Sequence, residues 1–340
     1  SNTAFIGGEA VSSFEKNFAE LYGVKHCVSA ANGTDSLYII MKMLGIGEGD
    51  EVITSANSWI SSSETITQTG ATPVFADIES EYYTIDPEAV EKLITDRTKA
   101  IMPVHLYGQM CDMETLNTLA KKYDLFVIED CAQSHFSEFK GVRAGLVGIA
   151  GSFSFYPGKN LGAYGDAGAI ITNDDKLAEK CRMYARHGAL VKHKHYMEGI
   201  NSRMDGIQAA VLNVKLKYIL DWTDKRIENA GLYNENLKNI SEITLPTIRP
   251  DSKHTFHIYV IRAQNRESLS DYLYEKGIQT ALHYPTILPL LPAYEYLNKT
   301  PKDFPEAYLA QQEILSLPMY PELGGKEIDY IVKIIKTFYS

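Results

Sequence analysis

Residues 151–173 read GSFSFYPGKNLGAYGDAGAIITN. Two β-rich runs, GSFSFY (151–156) and AGAIITN (167–173), flank a Pro-Gly turn that presents Lys159, with Gly162, Gly165 and Gly168 behind it. Glycines let backbone approach a ligand closely. A lysine held on a rigid turn beside a pocket suits Schiff-base chemistry, because its amine must reach one carbonyl carbon in one geometry. Taken alone, a surface lysine on a turn explains this segment equally well.

Upstream, the runs HCVSAA (26–31), DEVITS (50–55), TPVFAD (72–77), KAIMPVH (99–105) and LFVIED (125–130) alternate with helical patterns over 34–44, 58–69, 87–95 and 113–122. This alternation predicts an α/β fold with a mostly parallel sheet and helices on both faces. No helical pattern separates the two runs of 151–173, which predicts an irregular or antiparallel element there. Downstream, 174–187 and 203–238 read as long helices. In the second, Met204, Ile207, Ala210, Val211, Val214 and Leu216 read as a packing stripe. A boundary falls in ISEITLPTIRPDSK (240–253), followed by a strand, TFHIYVIRA (255–263), and helices near 266–276, 304–315 and 325–338. The expected division is a large α/β domain over 1–240, including the long connecting helix, and a smaller α+β domain over 241–340.

Composition bounds the function. A length of 340 residues suits two domains. With 45% apolar and 22% charged residues the chain is an ordinary globular one. Thirty-three Lys and Arg against 43 Asp and Glu give a net charge of −10 and a pI near 5.4. That argues against a general nucleic-acid binder, though backbone N–H groups can still hold an anion. No apolar run approaches the roughly 20 residues of a membrane-spanning helix. The opening SNTAFIGGEAV has neither the basic start nor the apolar core of a secretory leader. Cys27, Cys111, Cys131 and Cys181 are scattered, with no C-x-x-C pair, which points to a reduced, cytoplasmic setting.

Other candidates lie at strand ends, where α/β sheets place ligands. Asp130 closes the run VIED, where it could pair with a protonated ring nitrogen or cap a following helix. Asn32-Gly33-Thr34-Asp35 opens a helix after a strand, as a phosphate cradle does and as ordinary caps do. Trp59 follows another strand and suits either stacking on a cofactor or a place in the core. His187, His193 and His195 cluster in RHGALVKHKHY without an acidic or cysteine partner, so a solvated basic loop is expected and no metal site. No G-x-G-x-x-G follows the first strand and no G-x-x-x-x-G-K-[ST] occurs.

Together the strings AFIGGEAVSSFEKNFAELYGVKHCVSAANGTDSL, GDEVITSANSWISSSETITQTGATPVFADI, PVHLYGQMCDM, VIEDCAQS, FSFYPGKNLGAYGDAGAIITND, GINSRMDGIQAAVLNVKL and ILSLPMYPEL resemble, in this order and over nearly the whole chain, the DegT/DnrJ/EryC1/StrS sugar aminotransferases. The resemblance implies the pyridoxal-phosphate-dependent fold type I, like aspartate aminotransferase, with pyridoxamine phosphate as the cofactor's alternate form. It assigns Lys159 to the covalent link with the cofactor and to proton shuttling. It assigns Asp130 to the ring nitrogen, Gln133 to the ring hydroxyl and Trp59 to ring stacking. Gly33, Thr34 and Ser154 match phosphate-binding positions. Asn201, in INSRMD, matches an asparagine reaching the phosphate from a neighbouring subunit, which implies a homodimer with shared sites. Tyr156, His283 and Tyr284 match positions lining the sugar-nucleotide site.

Departures from the family pattern include Gly206, where many members are acidic, and Trp59, where Phe or Tyr is commoner. The lysine itself excludes the histidine-bearing dehydratase branch. The implied activity is amination, with glutamate as donor, of a dTDP- or UDP-linked keto sugar. PVHLYGQ, FYPGKNLGAYGDAGA and HYP (283–285) look more like members that act at C3, as on a 3-keto-6-deoxyhexose, than at C4. The products would feed O-antigen and other lipopolysaccharide, S-layer glycan or antibiotic sugars. The alternatives are a 4-keto sugar substrate, or a cofactor-binding regulator without turnover.

Overall fold

Seven strands form the central sheet of the computed structural model: His26–Ala30 (β1), Glu51–Ser55 (β2), Thr72–Ala76 (β3), Thr98–Met102 (β4), Phe126–Asp130 (β5), Ala150–Ser154 (β6) and Gly168–Thr172 (β7). The structure describes residues 5–340, so the first four residues, SNTA, lie outside it. The strand order is β1-β7-β6-β5-β4-β2-β3. All neighbours run parallel except β7, which is antiparallel to both β1 and β6. This is the antiparallel element expected where no helix separates the last two runs.

Successive strand residues point to opposite faces, and the core divides accordingly. Ile53, Ile101 and Val127 pack with Phe14 and Phe18 of α1 (Glu9–Tyr22), Leu116 of α5 (Met113–Tyr123) and Leu212 of α7 (Gly206–Lys215). Val52, Ala100 and Ile128 pack on the other face with Leu37 and Ile40 of α2 (Gly33–Met43), Ile66 of α3 (Ser61–Thr69) and Leu177 of α6 (Asp175–Tyr184). The short helix α4 spans Pro87–Leu93.

The helix read over 203–238 is two: α7, then a 3-10 turn at Leu216–Tyr218, then α8 (Ile219–Leu237). The stripe placed on it is also corrected. Met204 and Leu216 are buried, but Ile207 is 63% and Val214 is 60% exposed. The inward face of α7 is Ala209 and Leu212 instead, because Asn213 on that side bonds to Ala10 O and Asn17 of α1. A smaller antiparallel sheet, Ile243–Thr244 (β8), Tyr259–Ala263 (β9) and Ile314–Leu317 (β10), follows. It packs with α9 (Arg266–Glu275), α11 (Gly325–Phe338) and the second half of α8, through Ala230, Tyr233 and Leu237. β10 corrects the helix read over 304–315, since α10 stops at Glu313 (Pro305–Glu313) and Ile314 continues as strand. Among the described residues no helix is long and apolar enough to cross a membrane.

Candidate active site

The parallel strands β2, β5 and β6 end on one edge of the sheet, and so does the start of α2. Beyond β6 the chain crosses back on itself: Phe155 N donates to Ala167 O at 2.8 Å, and Ala163 N to Phe155 O at 2.7 Å. Lys159 sits on the loop this pins, its own N–H bonded to Tyr156 O at 2.8 Å. Burial is the main cause that pulls its ammonium from 10.5 down to about 8, and the Asp130 carboxylate opposes that fall. Lys159 and Asp130 therefore face one space.

Asp130 is 4% exposed. Its Oδ2 accepts from Ser62 Oγ at 2.8 Å and its Oδ1 from Ala132 N at 3.1 Å. The capping reading is corrected: Asp130 holds a turn, and no helix follows it directly. Ser62 gives its one hydroxyl proton to Asp130, so Ser58 Oγ, 2.8 Å away, donates to Ser62. Neither serine was singled out in the sequence, although SANSWISSS places four serines within one turn of a helix start.

The strand's period of two sends Glu129 to the opposite side. There its carboxylate accepts from the backbone N–H of Gly145, Val147 and Gly148 and meets His105 Nε2 at 2.9 Å. Cys111 N donates to His105 Nδ1, so the imidazole is the neutral Nε2–H tautomer. Glu129, His105 and Cys131 lie close enough to suggest a metal set. Glu129 and His105 are engaged by these bonds and the Cys131 thiol faces Glu129 O at 3.6 Å, which suits bracing of the strand beneath Asp130. His187, His193 and His195 lie on or beside the exposed hairpin of 189–191 and 194–195.

Gln133 is buried, accepting from Tyr107 N at 2.7 Å and donating to Tyr284 Oη at 2.9 Å. Tyr107 has a left-handed φ of 61°, which turns its N–H inward to Gln133, and its hydroxyl reaches His283 O. His283 Nδ1 lies 2.8 Å from Ser316 Oγ of β10. Trp59 is 58% exposed at the mouth, its ring 5.8 Å from that of Tyr284, so a core position is ruled out.

At the other end, α2 starts at Gly33. Asn32 caps it by accepting from Asp35 N at 2.7 Å. Thr34 Oγ1 lies 2.8 Å from Ser61 Oγ. A methyl group on Gly33 would come 2.6 Å from Ser154 Cβ, so this cradle between two backbones requires glycine. Tyr156 is exposed beside Lys159. Asn201 is exposed and bonded to Arg203 Nε at 3.0 Å, and among the described residues no hydrogen bond joins its side chain to the other candidates, although the adjacent Ser202 Oγ accepts from Ala31 N at 3.1 Å.

A group with an anionic end, a flat ring and a basic ring nitrogen fits these residues. Helix N–H groups and the Ser154 hydroxyl stand at one end, an uncovered indole at the side and a buried carboxylate at the other end. The DegT/DnrJ/EryC1/StrS aminotransferase family model matches residues 1–336. Over 333 residues the chain is 45% identical to the dTDP-3-amino-3,6-dideoxy-alpha-D-galactopyranose transaminase of Aneurinibacillus thermoaerophilus, covering 98% of this chain and 91% of that one. It is 43% identical over 340 residues to a protein of Geobacillus stearothermophilus named a pleiotropic regulatory protein, covering 99% and 91%. The crystal structure of S. venezuelae DesV in complex with a ketimine intermediate superposes with a TM-score of 0.97 at 37% identity, covering 100% of this chain and 91% of that one. Solved proteins of this fold carry pyridoxal or pyridoxamine phosphate. The chain belongs to the DegT/DnrJ/EryC1/StrS aminotransferase family and is a pyridoxal-phosphate-dependent aminotransferase.

Proposed function

We propose that this chain moves an amino group from glutamate to C3 of a dTDP- or UDP-linked 3-keto sugar, in the cytoplasm and as a homodimer. The observation that carries the reading is the pinned loop beyond β6 that presents Lys159 on the same side as the buried, Ser62-oriented Asp130, whose carboxylate acts on its amine. When bound, pyridoxal phosphate supplies a carbonyl that takes up an amine and a ring that draws electron density from the adjacent carbon. Lys159 would be the residue that holds that carbonyl covalently, and its free amine would hold and return the proton moved during the reaction. An amine near 8 does this more readily near neutral pH than one at 10.5. Asp130, oriented by Ser62 and the Ala132 N–H, keeps a proton on the ring nitrogen. Gln133 holds the ring hydroxyl. Gly33 and Thr34 N–H groups, with Ser154, bind the phosphate at the start of α2. Trp59 covers the ring and excludes water.

Two substrates sharing one lysine in turn gives ping-pong kinetics. Tyr156, His283 and Tyr284 line the sugar side. Asn201 serves the neighbouring subunit's phosphate. The exposure of Asn201 and the outward apolar residues Ile207 and Val214 of α7 both support a paired molecule. The C3 preference rests on the strings around Lys159 and His283 and on the 3-amino sugar for which the Aneurinibacillus relative is named.

The test is the absorption spectrum of the holoenzyme before and after glutamate, without sugar. Conversion of the yellow band to the pyridoxamine form is expected. A band that glutamate leaves unchanged removes glutamate as donor and favours the regulator reading. Running the enzyme backward on dTDP-3-amino and dTDP-4-amino sugars then separates the positions, and activity on the 4-amino sugar alone would refute C3.

A further inference from the structure

Residues 254–258, HTFHI, enter the site from the C-terminal half of the chain and touch both of its sides. On one side Thr255 N donates to Gly108 O at 2.9 Å, beside the Tyr107 that orients Gln133. A methyl group on Gly108 would meet Thr255 Oγ1 at 2.8 Å and Phe256 N at 2.9 Å, so the two backbones are in direct contact. On the other side His257 Nδ1 lies 3.1 Å from Oδ1 of Asn160, the residue after Lys159.

The polarity of this contact is fixed. Asn160 Nδ2 faces the carbonyl of Thr255 at 3.4 Å, which can only accept, so Oδ1 faces the imidazole. Nδ1 of His257 therefore carries the proton. Arg226 of α8, buried, donates to the carbonyls of Phe256, His257 and Met319 at 3.2, 3.3 and 3.0 Å and holds the segment from behind. Asn160 is itself 6% exposed. The loop at Lys159 is thus fastened to β6 at its root and to HTFHI at its tip.

We propose that His257 and Asn160 are positioning residues for Lys159: their hydrogen bond fixes the turn that holds the half-buried lysine on the side of Asp130. The proposal rests on the reading of Lys159 as the cofactor-bearing lysine. The groups around that amine leave it dependent on placement. Asp130 on β5 is the carboxylate that faces it. His135, after β5, is held near 3 by burial and then by the Lys159 charge. His257 and His283 are lowered by burial first and by the same charge next, with Arg226 also acting on His257. Near neutral pH these imidazoles stay uncharged, so dryness and Asp130 decide the amine's state. A turn released at Asn160 lets water reach the amine and returns it toward its ordinary proton affinity.

The test uses the full-length chain freed of cofactor. Acetylation of Lys159 by acetic anhydride is followed across pH by mass spectrometry of the peptide, and thermal unfolding confirms that each variant is folded. The wild-type midpoint is expected near 8. In His257→Leu and in Asn160→Ala the proton affinity of Lys159 should rise by about tenfold or more. His257→Asn, whose amide nitrogen can occupy the place of Nδ1, should stay near wild type. An unmoved midpoint in folded His257→Leu or Asn160→Ala overturns the proposal, as does an equal rise in His257→Asn. If His257→Leu does not fold, Asn160→Ala removes the same bond from the other end. Failure of the underlying reading shows separately, as wild-type chain that takes up pyridoxal phosphate without linking it to Lys159 on borohydride reduction.

Discussion

A lysine ammonium withdrawn from water costs stability that the native chain bears for the sake of its chemistry. The native amine titrates near 8 and the unfolded one near 10.5, so between these values the unfolded state holds more protons and stability rises with pH. Lys159→Met should therefore raise the melting temperature of the cofactor-free protein at pH 7. The gain should shrink as the native lysine loses its proton, so melting curves at pH 7 and pH 10 check both sign and window. Lys159→Ala should abolish turnover in both half-reactions while leaving the far-ultraviolet spectrum unchanged. Asp130→Asn keeps the size and can still accept from Ser62, but loses the charge facing the ring. It should lower kcat by about 10²–10³-fold, the scale seen when one oriented electrostatic group is removed from a reacting centre.

Elements place these residues, and most elements were legible before the structure. The strands of the large sheet are apolar on both sides, as strands buried on two faces must be, and helical patterns separated the first five. Where two neighbours competed for a residue, the sequence was silent. Ile314-Leu315 reads as the end of a helix, yet pairing of Ile314–Leu317 with β9 draws it into strand. On α7 either of two apolar faces could turn inward, and the Asn213 contacts to α1 decide it. The site divides in the same way. Lys159, Asp130 and Gly33 stand in local patterns that single them out as candidates, and the resemblance gives them roles. Ser62, Tyr107, Asn160 and His257 acquire meaning only from what the fold brings beside them.

The turn into α2 tests how tightly an element sets its site. Gly33→Ala forces a methyl group onto Ser154, and overpacking of this kind costs about 1–3 kcal/mol. It should weaken pyridoxal phosphate binding by tenfold or more in a fluorescence titration. Asn32→Ala removes the helix cap and should cost about 0.5–2 kcal/mol in urea unfolding.

At the scale of the whole molecule, the proposed sharing of Asn201 between subunits predicts that a site can be rebuilt from two broken chains. Lys159→Ala and Asn201→Ala homodimers should each be inactive or weak. Mixed and allowed to exchange subunits, they should recover activity, since each hybrid contains one site with both residues intact. No recovery, with exchange verified by native mass spectrometry, would place the phosphate contact within one chain. The topology of the sheet also carries a consequence for biosynthesis. β1 is an edge strand whose sheet partner is β7, from His26 opposite Thr172 to Ala30 opposite Gly168. During translation the first strand to leave the ribosome must wait while five others of its sheet are made before its partner exists. The nascent chain thus carries an open, apolar strand edge until Thr172 has been made, a state that invites mispairing and makes closure of the sheet a slow step suited to chaperone shelter.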